Sequence, residues 1–142
     1  MVFWYLERRF NGILMAQTYF LKTLLDFASA HHLNQYPGDC ARLHGHNWKV
    51  EVMVKGHKLD DIGMVIDFKA IKKQAKRIIA DLDHSYLNEH PAFQTQNPTA
   101  ENIARFIYQS LAEKINTDTV HMYQITLWEN DRNCVIYQQT DT

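Results

Sequence analysis

The sequence predicts an α+β fold: an antiparallel four-stranded sheet carrying two helices on one of its faces. Three observations predict it. Along His44–Lys55 apolar and polar residues alternate, the period-2 signature of a half-buried strand. Two later segments place apolar residues three and four apart, the spacing of a single helical stripe. The elements run in the order β-β-α-α-β-β, which suits helices gathered on one face of an antiparallel sheet.

Gln17–Ser29 reads as the first strand on its content of Tyr19, Phe20, Leu24, Leu25 and Phe27, and it delivers His31 at its end. Pro37-Gly38 is a turn signal, so Cys40 opens on a loop. In the strand His44–Lys55 the even positions read His44, His46, Trp48, Val50, Val52, Val54, and the odd ones are polar or small apart from Met53. Gly56–Gly63 connects onward, and Met64–Asp67 is short and extended. Asp67 caps a helix with the stripe Phe68, Ile71, Ala75, Ile78, Leu82; Lys72, Lys73, Lys76 and Arg77 fall on its solvated side. Asn97-Pro98-Thr99 starts the second helix, with Thr99 as N-cap, Glu101 in the first turn against the dipole, and Ile103, Ile107 and Leu111 as its stripe. Thr119–Glu129 is a strand whose row Tyr123, Ile125, Leu127 leads to Glu129. Cys134–Tyr137 is the last strand.

At 142 residues the chain is long enough for one core, and its formal net charge of −1 carries no footprint for nucleic acid. Residues 1–14 lack periodicity and are set apart as an extension of unknown role, leaving 15–142 as one domain. Arg8-Arg9, an apolar stretch from Phe10 to Leu21 and Ala28-Ser29-Ala30 imitate a secretion signal, but Lys22 and Asp26 interrupt it. No run is long enough to span a membrane. Of the two cysteines, Cys40 lies within a His-rich segment, which favours a reduced cytoplasmic setting over a disulfide. Trp48, Trp128 and Tyr123 offer more apolar surface than a monomer should expose on the uncovered sheet face, which points to a homo-oligomer.

Two imidazoles at i and i+2 project from one face of a strand, with Cα atoms about 7 Å apart, within reach of one metal ion. His31 adds a third. Three imidazoles leave zinc an open fourth position, the mark of a catalytic site; Cys40, His31, His44 and His46 would instead make a closed structural one. Both sets stay open on spacing alone. If unbound, Cys40 is a candidate base or nucleophile with Arg42 near it in sequence. Asp83-His84 offers an acid/base couple, although neighbouring side chains diverge and any relay between them should be indirect. Glu129 ends an apolar row either as a solvent residue or as a recognition group.

These residues resemble the 6-pyruvoyl-tetrahydropterin synthase and 6-carboxytetrahydropterin synthase family. The resemblance runs from about Thr18 to Tyr137. It rests on Phe27-Ala28-Ser29-Ala30-His31, the Cys40–His46 segment, Gly63-Met64-Val65-Ile66-Asp67-Phe68, Leu82-Asp83-His84-Ser85-Tyr86-Leu87-Asn88, Pro98-Thr99-Ala100-Glu101-Asn102 and Glu129, in that order. It implies that His31, His44 and His46 bind Zn2+, that Cys40 is a free thiol and the proton-abstracting base, and that Asp83 and His84 form a partner relay. Glu129 is implied to anchor the pterin and to belong to the catalytic set, with Thr99 and Arg42 as further substrate contacts. The implied architecture is the tunnelling fold, in which sheets of three subunits close into a barrel, two trimers stack into a homohexamer, and active sites lie between subunits. The implied substrate is 7,8-dihydroneopterin triphosphate. The Cys-x-x-x-His-Gly-His spacing looks more like the carboxy branch, which releases acetaldehyde on the way to queuosine, than the pyruvoyl branch. Two departures stand out: His32, an alternative ligand directly after His31, and Trp128-Glu129-Asn130, where the family often has Glu-Thr.

Overall fold

The computed structural model describes residues 9–10, 13–14 and 16–140. Within the N-terminal extension, β1 (Arg9–Phe10) pairs antiparallel with β2 (Ile13–Leu14). The main sheet is built from β3 (Tyr19–His31), β4 (His44–Gly56), β5 (Ser85–Tyr86), β6 (Val120–Trp128) and β7 (Cys134–Tyr137), in the order β5-β3-β4-β6-β7. The sheet is therefore five-stranded and mixed, not four-stranded and antiparallel. The added strand β5 pairs parallel with β3 at Ser29 and Ala30. At two residues it is too short to show any periodicity in sequence, and it forms because Asp83 and His84 dock on Ala28 just before it.

Two helices, α1 (Phe68–Ala80) and α2 (Ala100–Ile115), cover one face. Ile71, Ala75 and Ile79 of α1 and Ile103, Ile107 and Leu111 of α2 join Leu25, Phe27, Val50, Val52, Val54, Ile125 and Leu127 in one core. Each helix starts as its cap residue dictates: Asp67 accepts from the Lys69 amide at 2.8 Å and Thr99 from the Asn102 amide at 3.3 Å. The α1 stripe is broader than the expected one: Ile71, Ala75 and Leu82 are buried as expected, Ile78 is partly buried, and Ile79 is buried beside it. Phe68, expected in the stripe, is instead exposed at the helix start.

Strand β6 also departs from its expected row. Its register on β4 shifts between Met53 and Val54, so that Met53 faces Gln124 while Val54 faces Met122. The bulge skips Tyr123 and reverses the phase: Val120 and Met122 point into the core before it, Ile125 and Leu127 after it. Tyr123 is turned to the outer face, where its ring meets Phe20 at 4.7 Å.

Trp48 overturns one expectation outright. It shares the even row of β4 and is 1% exposed, stacked on Phe27, with its Nε1–H donating to Ser29 Oγ at 2.9 Å. It is core, not oligomer surface. The uncovered outer face instead shows Phe20, Leu24 and Ile136, each more than half exposed, with Trp128 and Tyr123 half-buried among them.

Candidate metal centre and active site

The register of one strand pair builds the centre. In the antiparallel β3–β4 ladder the last residue of β3, His31, stands opposite the first of β4, His44, and His46 lies opposite Ser29 one diagonal step away. All three side chains share the core side, and one ligating nitrogen from each lies within 4.8 Å of the others. A one-residue slip would throw His31 to the other face and dissolve the cluster.

Backbone carbonyls fix the direction of two rings. The Nδ1–H of His31 donates to the Pro98 carbonyl at 2.8 Å, and that of His44 to the Arg42 carbonyl at 2.7 Å. A neutral imidazole has one N–H, so both Nε2 atoms carry lone pairs, and these face each other at 3.0 Å. Two lone pairs at that separation repel unless a cation lies between them. His46 Nε2 is buried with no hydrogen-bond partner, and a Glu129 carboxylate oxygen stands 3.4 Å from it. Three inward nitrogens, two held by carbonyls on their far side, are a donor set suited to a divalent ion. Burial keeps them in the ligating form: desolvation holds the His31 and His46 imidazoles below their ordinary value of 6.5, outweighing the Pro98 contact at His31 and the Glu129 charge at His46.

His32 lies outside the cluster of three. Strand alternation turns it away from His31, and both its nitrogens are engaged, by Tyr86 Oη at 2.5 Å and Asn34 Oδ1 at 2.8 Å.

A cavity of about 560 Å³ opens beside the histidines. Its lining includes His31, His44, Cys40, Thr99 and Glu129, so these five of the anticipated site residues converge here from distant parts of the sequence. Cys40 sits in a 3-10 turn (Asp39–Ala41) as a free thiol, partly exposed, and its sulfur does not join the ligating cluster. Arg42 contributes its carbonyl to His44, while its side chain is exposed and borders neither this cavity nor the next. Tyr36, Asn34, Asn97 and Glu101 line the wall as well. Sequence reasoning missed the first three and the two orienting carbonyls; a carbonyl has no residue identity to announce it.

His84 borders a different hollow, of about 540 Å³, together with Ala28, Gly45, His46 and Tyr86, while Asp83 lines another beside Leu24 and Ile79. The expected indirect relation between them is wrong. His84 adopts φ 52°, a left-handed conformation that swings its ring back so that Nδ1 lies 2.9 Å from Asp83 Oδ1. That carboxylate oxygen also accepts the Ala28 amide at 2.9 Å, and the His84 amide donates to the Ala28 carbonyl at 2.6 Å. The Ala28 amide, and then His84, hold the Asp83 carboxyl below its ordinary 3.8. An Nδ1–H···carboxylate contact leaves the lone pair of the neutral ring on His84 Nε2, and the side chain is 85% exposed. Within one subunit this pair and Cys40 line separate hollows.

A family model described as 6-pyruvoyl tetrahydropterin synthase matches residues 21–140. The chain is 31% identical over 130 residues to the 6-carboxy-5,6,7,8-tetrahydropterin synthase of Rickettsia typhi, covering 79% of this chain and 94% of that one. It is 34% identical over 116 residues to the Bacillus subtilis protein of the same name (78% and 70%). The 6-pyruvoyl tetrahydrobiopterin synthase of Dictyostelium discoideum is 30% identical over 136 residues (87% and 98%). In fold, the chain resembles the 6-pyruvoyl tetrahydropterin synthase of Caenorhabditis elegans with a TM-score of 0.78 at 23% identity, across 90% of this chain and 100% of that one.

Proposed function

The chain belongs to the 6-pyruvoyl tetrahydropterin synthase family, and from that premise we propose that it is a zinc-dependent 6-carboxy-5,6,7,8-tetrahydropterin synthase. It takes 7,8-dihydroneopterin triphosphate and one water to 6-carboxytetrahydropterin, acetaldehyde and triphosphate, a step towards 7-deazaguanine nucleosides such as queuosine. The observation that carries this reading is the trio of inward imidazole nitrogens beside a thiol that is not one of them. A cysteine inside the cluster would have favoured a closed structural site.

His31, His44 and His46 would hold the ion, which when bound supplies Lewis acidity to the substrate's side-chain hydroxyls. The remaining work belongs to the protein. Cys40 removes a proton from the bound side chain; its partly exposed position keeps the thiol within reach of substrate. Glu129 accepts from the guanidine-like edge of the pterin and, 3.4 Å from His46, places the ring against the metal ligands. Thr99 borders the same cavity and makes a substrate contact there. The Arg42 guanidinium, on its exposed stem, serves the triphosphate. His84 returns a proton through Nε2 while Asp83 steadies the imidazolium.

Because Asp83-His84 and Cys40 line separate hollows of one subunit, the complete site forms between subunits. Three copies closing their sheets into a barrel, and two such trimers stacking, would cover the exposed outer face and bring the pair to a neighbour's thiol.

Relatives of both product names stand at similar identity, so the product itself is the test. Zinc-loaded protein is incubated with 7,8-dihydroneopterin triphosphate and the products are weighed by mass spectrometry. The expected result is 6-carboxytetrahydropterin with stoichiometric acetaldehyde. The six-position diketone would move the chain to the pyruvoyl branch, and unchanged substrate would refute a pterin synthase.

A further inference from the structure

We propose that His32 and Tyr86 are positioning residues, a tether that fastens the Cys40-bearing strap to β5, the strand that follows the Asp83–His84 pair. The inference rests on Cys40 being the working thiol.

The tether is a directional chain of hydrogen bonds. Tyr86 O–H donates to His32 Nδ1 at 2.5 Å, which leaves the proton of the neutral ring on Nε2, and that N–H donates to Asn34 Oδ1 at 2.8 Å. Asn34 is gripped again through its backbone: its amide donates to Asn97 Oδ1 at 2.8 Å and its carbonyl accepts from Asn97 Nδ2 at 3.0 Å. The residue between, Leu33, donates its amide to the Cys40 carbonyl at 2.8 Å and so closes the base of the strap that runs from 33 to 40. The place of the Cys40 sulfur thus depends on where Leu33 and Asn34 are held.

The two ends of this chain sit at the two hollows. Tyr86 borders the one that holds His84, Asn34 the one that holds Cys40 and the metal ligands His31 and His44. Tyr86 and His32 are 54 residues apart in sequence and their rings stack at 5.8 Å, so the link is long-range and two-point. Asn97 ties the far end to the next two residues, Pro98, whose carbonyl orients His31, and Thr99, which caps α2. A thiol that must meet a carbon-bound proton on a metal-held substrate tolerates little displacement: a shift of about 1 Å costs on the order of a hundredfold. Neither His32 nor Tyr86 touches the reacting atoms; both act through Cys40.

The test uses zinc-loaded full-length protein in a Cys134→Ser background, so that Cys40 is its single thiol. Tyr86→Phe removes one oxygen and keeps the ring. It is expected to lower kcat roughly tenfold with KM and zinc content unchanged, and to alter the rate of Cys40 alkylation by iodoacetamide severalfold. His32→Gln can still accept from Tyr86 and donate to Asn34, and should retain most of the parent kcat. His32→Leu keeps bulk alone and should behave as Tyr86→Phe. Alkylation rates within twofold of the parent in both Tyr86→Phe and His32→Leu overturn the tether, whatever happens to kcat. A fully active Cys40→Ala overturns the reading of Cys40 as base instead, and the alkylation arm then judges the tether separately.

Discussion

At the scale of single residues, the centre depends on imidazoles that are neutral at working pH and on carbonyls that fix their tautomers. Burial lowers His31 and His46 below 6.5. In the unfolded chain those rings bind protons near 6.5; in the folded protein they resist until lower pH. Metal-free stability is therefore full above 6.5 and declines as the pH falls beneath it, because the unfolded state binds more protons there. The thermal midpoint of the metal-free protein should drop between about pH 7.5 and about pH 5.5, and the zinc-loaded protein should release its ion over the same window as protons compete for the nitrogens. A midpoint indifferent to this change, or zinc held undiminished, would show that the rings are not buried neutral ligands. The residues of this site were readable as types and spacings. His44 and His46 share a face by strand alternation, and Cys40 and Asp83-His84 were legible beside them. What could not be read was the 2.9 Å contact of Asp83 with His84, since it depends on a left-handed φ that a histidine rarely adopts.

At the scale of elements, the long strands and both helices were legible because each runs over at least nine residues of fitting composition or pattern. Strand β5 was not, being two residues that owe their place to the Ala28 docking that precedes them. The phase of β6 misled for a related reason: a bulge at Tyr123 exchanges the two faces midway, so the visible row was real only beyond it. The end of β4 shows how tightly these joints are built. A Cβ at Gly56 would fall 2.4 Å from Val65 Cγ1 and 3.0 Å from the Thr119 carbonyl. Gly56→Ala should cost about 1–3 kcal/mol in urea unfolding through overpacking, and the cost should shrink in a Val65→Ala background, where the clashing methyl is gone. Equal costs in both backgrounds would mean that the strain lies in the backbone alone.

At the scale of the whole molecule, one sheet face is sealed by helices and the other displays Phe20, Leu24 and Ile136. An uncovered apolar sheet face was legible in the sequence, and Tyr123 and Trp128 do lie on it, whereas Trp48 does not. Trp48 read as excess apolar surface, and the packing that buries it, against Phe27 and Ser29, lies in the β3–β4 register. A charge at Leu24, as in Leu24→Glu, should shift the protein towards monomer in light scattering and remove activity while each subunit stays folded. Unchanged mass would place the contacts elsewhere. No helix of the described residues is long and apolar enough to cross a membrane. Everything proposed for the chemistry descends from one arrangement, three imidazole nitrogens around an ion with the Cys40 sulfur left out of its shell. Zinc-edge X-ray absorption of the loaded protein tests it most directly. The expected spectrum has only nitrogen and oxygen neighbours at about 2.0–2.1 Å, whereas a sulfur neighbour near about 2.3 Å would contradict it.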